Sequence, residues 1–133
     1  MEPSNSSSHC SLEDISPVKW GVIDTRGLEA LIKAKTPMAL VDARTNEWFD
    51  HTLIVSAERL PLDASSEALK KILPRKDQLV VVYCAGEGCP TSKSLAKRLV
   101  EEGYTCLIDY HEGIRGWISH QNPIQKMRSE EET

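Results

Sequence analysis

Cys84 and Cys89 lie five residues apart in the segment VVVYCAGEGCPTSKSLAKRLVEEGY. The run Leu79 to Tyr83 that leads into Cys84 is β-branched and apolar on both faces, the pattern of a strand buried in a parallel sheet. A turn-rich loop, Ala85 to Pro90, follows, and then a helix from about Thr91. Gly86 and Gly88 let the loop curl tightly, positive φ included. A curled loop aims successive N–H groups at its centre, and a helix that starts beside it adds its positive end. Both effects favour a thiolate at Cys84, whose pKa is therefore expected to fall, as a nucleophilic sulfur requires. The plainer reading makes Cys84 a small apolar residue closing a buried strand, because buried cysteines are common.

Cys89 has three candidate roles: a bland loop residue, a resolving thiol that attacks an oxidised or sulfur-loaded Cys84, and an alternative nucleophile. A loop with two glycines can bring the sulfurs of Cys84 and Cys89 within bonding reach. Cys106, in an apolar run, reads as a core thiol, and Cys10, in a Ser-rich stretch, as an exposed one. A chain of 133 residues needs no disulfide framework for stability. Cys84 and Cys89 with His51 or His111 have a zinc-like composition, but no second close ligand pair is present. His51 and His111 read as surface histidines, since a thiolate held by backbone amides needs no base. Neither a metal nor another cofactor is expected.

The elements that must position this loop are short. Val22 and Ile23, Met38 to Val41, Ala57 to Leu60, Leu79 to Tyr83 and Thr105 to Tyr110 read as strands. Leu28, Leu31 and Ile32 follow helical spacing, as do Leu69, Ile72 and Leu73, with Asp63 or Ser65 as cap, and Leu95, Leu99 and Val100, ended by Gly103. Glu47 to Asp50 and Ile114 to Ser119 are expected as short helices. Strands alternating with helices predict an α/β domain with a central, mainly parallel sheet and helices on both faces. Ligands in such sheets bind at the carboxyl ends of strands, where Cys84 sits.

The chain reads as one domain over residues 18–125, with a Ser-rich tail at 1–17 and an acidic tail at 126–133. A net charge of -4 gives no electrostatic footprint for nucleic acid. No apolar run is long enough for a bilayer, and MEPSNSSSHCSLED has no signal pattern, so a cytoplasmic protein without membrane association is expected.

Four motifs in order resemble the rhodanese family. The first is Val41-Asp42-Ala43-Arg44 followed by Glu47-Trp48. The second is His51 through Ala57, then Leu60-Pro61. The third is VVVYC with its Gly-containing loop and Ser-x-x-Leu-Ala-x-x-Leu-x-x-x-Gly-Tyr, and the fourth runs from Tyr110 to Trp117. Together they span about Val22 to Pro123.

The resemblance implies a single-domain sulfurtransferase in which Cys84 takes a sulfane sulfur and carries it as a persulfide. The backbone of Ala85, Gly86, Glu87, Gly88, Cys89 and Pro90 would cradle the outer sulfur. Asp42 and Arg44 would brace the neighbouring structure, and Trp117 would pack in the core. The partners implied are a small donor such as thiosulfate or a persulfide, and a thiol, cyanide or protein-thiol acceptor. Many active members also carry a loop arginine for an anionic donor; this loop has none, carries Glu87 instead, and has Lys93 as its nearest cation. A catalytically weak binding or redox-sensing module is the rival reading. Related phosphatases need arginine six residues after the cysteine, yet Pro90 stands there after Cys84 and Leu95 after Cys89.

Overall fold

The five apolar residues before Cys84 form a strand that shows two opposite faces to two different cores. Val80 and Val82 pack into a cluster with Leu69, Leu73, Leu95 and Leu99, while Val81 and Tyr83 pack into another with Leu28, Ile114 and Trp117. The alternation of strand side chains thus requires a helical layer on each side. The protein is described here by a computed structural model, which covers residues 20–127.

Along the chain, β1 (Gly21–Ile23), α1 (Thr25–Lys33) and β2 (Ala39–Asp42) are followed by β3 (Thr52–Ile54), β4 (Glu58–Arg59) and α2 (Ser66–Ile72). Then come β5 (Leu79–Tyr83), α3 (Thr91–Glu101), β6 (Cys106–Tyr110), α4 (Gly113–Ser119) and β7 (Ile124–Lys126). Five strands form a parallel sheet in the order β1-β6-β5-β2-β4. β5 is central, α2 and α3 cover one face, and α1 and α4 cover the other. This is the expected α/β architecture. Ser65 caps α2 by accepting from the Ala68 N–H, and Gly103, at φ +101°, turns the chain out of α3.

Three expectations change. Glu47 to Asp50 forms a turn, not a helix. It ends on Phe49, 7% exposed, which lies under the guanidinium of Arg59 at 4.1 Å and beside that of Arg44 at 5.0 Å. β3 and β7 form a separate antiparallel pair, and β7 carries strand pairing past residue 125. Cys106 is half-buried and disulfide-bonded, not a core thiol; Cys10 lies outside the described residues. Among the described residues no helix is long and apolar enough to cross a membrane.

Candidate active site

β2 and β5 run side by side, so Asp42 and Tyr83 end in register at the carboxyl edge of the sheet. Asp42 and Arg44 are both buried there, joined at 2.6 Å between Arg44 Nη2 and Asp42 Oδ2. Arg44 also donates to the Thr52 carbonyl at 2.6 Å and reaches Asp50 at 3.1 Å. The pair therefore ties β2 to the chain leading into β3, and this is the bracing expected of both residues. Trp117 is 2% exposed and stacks edge-on against Tyr110 at 6.4 Å, so it is a core residue.

Cys84 follows β5 and is 2% exposed. The loop after it is held at both ends. On the α4 side, the Ile114 and Arg115 N–H groups donate to the Cys84 and Ala85 carbonyls at 3.0 and 2.9 Å. This approach depends on Gly113, at φ +64°: a Cβ there would lie 2.6 Å from the Cys84 oxygen and 2.6 Å from the Gly86 nitrogen. Within the loop, the Cys89 N–H donates to the Gly86 carbonyl at 3.1 Å, and Gly88, at φ +86°, turns the chain back.

The two free thiols thus meet. Cys84 Sγ donates to the Cys89 carbonyl oxygen at 3.4 Å, and the two thiols shift each other's pKa. No side chain caps α3, whose N-cap is Pro90. Groups of Ser92 favour a Cys84 thiolate, and those of Thr91 a Cys89 thiolate. Ser92 Oγ in turn donates to buried Asp109 at 2.7 Å, and Lys93 Nζ lies 3.4 Å from the other Asp109 oxygen.

The expectation of a lowered Cys84 pKa is not met in this arrangement. Burial, and then the hydrogen bond to Cys89, push Cys84 up more than the Ser92 groups pull it down. Burial also opposes a Cys89 thiolate, but the hydrogen bond from Cys84 and the N–H groups of Ala85 and Thr91 outweigh it, and Cys89 is shifted down. The curled loop does gather amides as expected, but around the second sulfur. Of the two thiols, Cys89 is therefore the more readily ionised.

Outside the loop lies an open cleft of about 440 Å³ lined by Gly86, Glu87, Glu112, Arg115, Ser119 and His120. The stem of Arg115 crosses the position of Gly86, whose absent Cβ would be 3.4 Å from Arg115 Cδ. Its exposed guanidinium makes no side-chain hydrogen bond or ion pair among the described residues. Glu87 lies 3.4 Å from His111. Glu87, His111 and Glu112 form the one cluster of three metal-capable groups among the described residues, and it includes neither cysteine, so the zinc set of Cys84, Cys89 and a histidine is not assembled. Sequence reasoning gave no role to Arg115, Ser92 or Asp109; Arg115 lies within both the Tyr110 to Trp117 motif and the helix pattern over Ile114 to Ser119.

The rhodanese-like domain family model matches residues 24–120. A Bacillus halodurans protein of solved structure is 22% identical, with a TM-score of 0.71 over 81% of this chain and 77% of that one. The rhodanese-like domain of an Anabaena protein is 20% identical, with a TM-score of 0.64 over 84% and 82%. A thiosulfate sulfurtransferase from Pseudomonas aeruginosa is 18% identical, with a TM-score of 0.65 over 82% of this chain and 21% of its own. At these identities the likeness is one of fold. No curated protein matches the sequence.

Proposed function

Since the chain belongs to the rhodanese-like domain family, we propose that it transfers sulfane sulfur, with Cys84 as the atom that carries it. The observation that supports this reading is the placement of Cys84 at the carboxyl end of the central strand β5, just ahead of the N-terminus of α3. As its sulfur attacks, Cys84 gives up its proton to solvent. The donor's S–S bond breaks, and the leaving group departs with the bonding pair. An acceptor thiol or cyanide then takes the outer sulfur.

Arg115 supplies the cation that the loop lacks. It stands in the cleft beside Gly86, opposite Glu87, and serves the anionic end of the donor. The Pseudomonas aeruginosa protein is named for thiosulfate. Here the unpaired Arg115 favours such an anion and Glu87 opposes it, so thiosulfate is a usable but weak donor. The burial of Cys84 favours the alternative, a catalytically weak redox-sensing module.

Intact mass after incubation with thiosulfate, and then with a low-molecular-weight persulfide, separates the two readings. We expect one added sulfur atom, mapped to Cys84 and absent in Cys84→Ser, in protein whose Cys89 has been blocked. No added sulfur, or sulfur on another residue, overturns the assignment.

A further inference from the structure

The loop does more than hold Cys84: it delivers a second free thiol to it. The Cys89 N–H bond to the Gly86 carbonyl, the reversal at Gly88 and the 3.4 Å approach of Cys84 Sγ to the Cys89 carbonyl all fold Cys89 back over Cys84. Cys84 and Cys89 are the free cysteines of the described residues. Cys84 is buried and Cys89 is half-buried. The sulfur of Cys84 thus lies against the backbone of a residue that itself carries a free thiol.

We propose that Cys84 and Cys89 act as a dithiol that reduces the sulfane sulfur it receives, releasing it as sulfide and closing a Cys84–Cys89 disulfide. This rests on the persulfide reading of Cys84 and adds an activity to it. In the first step Cys84 sulfur bonds the donor's sulfane sulfur, its proton goes to solvent and the donor's leaving group departs with the S–S bonding pair. In the second, Cys89 sulfur attacks Cys84 Sγ. The bond from Cys84 to the outer sulfur breaks, and the expelled hydrosulfide takes the Cys89 proton and leaves as hydrogen sulfide. The two thiols are oxidised by two electrons and the sulfane sulfur is reduced by two. The cycle is reset by an external dithiol, which takes up the disulfide by ordinary exchange. The downward shift of the Cys89 pKa supports the second step, because a thiol of lowered pKa is the better attacking group near neutral pH.

The test uses the full chain and one equivalent of benzenethiosulfonate, whose leaving sulfinate is not a thiol. Sulfide is trapped with a bimane reagent, and the Cys84–Cys89 peptide is weighed. The wild-type protein is expected to release one sulfide per chain and to lose two hydrogens in that peptide. Cys89→Ser and Cys89→Ala are expected to gain one sulfur on Cys84 and to release no sulfide until dithiothreitol is added. A wild-type protein that keeps the extra sulfur as stably as these variants overturns the dithiol step and leaves the persulfide reading standing. If the Cys89 variants, folded by circular dichroism, take up no sulfur, the persulfide reading fails and this proposal with it.

Discussion

Gly113 is the point at which α4 is pressed onto the loop after Cys84, and replacing it with alanine measures how much that pressure matters. A Cβ at this position would sit 2.6 Å from the Cys84 oxygen, 2.6 Å from the Gly86 nitrogen and 2.7 Å from the Ala85 carbonyl carbon. All three are backbone atoms, so no side chain can swing aside; either α4 or the loop must retreat. Gly113 also has φ +64°, where alanine costs about 1–2 kcal/mol. The retreat endangers the N–H donations of Ile114 and Arg115 to Cys84 and Ala85, each worth about 1 kcal/mol. The total is about 3–4 kcal/mol, a large share of the roughly 5–15 kcal/mol that holds a domain together. Gly103→Ala is the control. It has a comparable backbone, φ +101°, but its Cβ would meet nothing closer than Lys76 Cδ at 3.8 Å, so it bears the strain alone, about 1–2 kcal/mol. In thermal and urea denaturation Gly113→Ala is expected to lose about 2 kcal/mol more than Gly103→Ala, a further fall in Tm on the order of 10 °C. Persulfide formation in Gly113→Ala should drop by about 100-fold if the loop shifts by about 1 Å, while Gly103→Ala keeps the wild-type rate. Equal losses of stability in the two variants would refute the claim that α4 clamps the loop.

Arg44→Met leaves Asp42 charged and unpaired in the core and should destabilise the fold by about 3–5 kcal/mol in urea; a loss under about 1 kcal/mol would mean that the pair is not bracing β2. Glu87→Gln and Arg115→Gln should move thiosulfate use in opposite directions, up and down by several-fold at low salt and less at high salt, as expected for about 1 kcal/mol of partly screened charge; a shift in the same direction removes the cleft from the account. Iodoacetamide near neutral pH should modify Cys89 before Cys84, and raising the pH should speed Cys84 more, because burial holds its pKa up while Cys89 is shifted down. Peptide mapping reads the order, and the reverse order contradicts the opposite shifts of the two thiols.

Much of the frame was legible because its signals are local. Leu79 to Tyr83 is apolar at every position, and only a strand covered on both faces needs that. Leu95 and Leu99 mark the buried face of α3, and Gly103 its end, so the place of Cys84 between strand and helix followed. β3 and β7 were not legible. Each has three residues, and their partners, Thr52 with Lys126 and Ile54 with Ile124, are joined only by the closed fold. Glu47 to Asp50 looked helical because its composition allows a turn of helix; the burial of Phe49 under Arg59 decides otherwise. The charge of the site was misread for a related reason. Loop amides and a helix N-terminus are visible in a sequence, but which sulfur they face is not, and burial of Cys84 was the larger effect. Arg115 is far from Cys84 along the chain, and only the packing of α4 against Gly86 makes them neighbours.

The strand order β1-β6-β5-β2-β4 has a consequence for biosynthesis. During synthesis from the N-terminus, β5 and Cys84 emerge before β6, which must slot between β1 and β5, and before α4, whose N–H groups secure the loop. At ribosomal speeds of roughly 5–20 residues per second, the nascent chain spends seconds with Cys84 made but neither buried nor clamped. In that interval Cys84 is an ordinary cysteine, open to oxidants and to mispairing with Cys10, which is already made. The site thus acquires its distinctive acidity pattern only with the last quarter of the polypeptide, and a chain stalled before Gly113 would expose a thiol that the finished protein keeps covered.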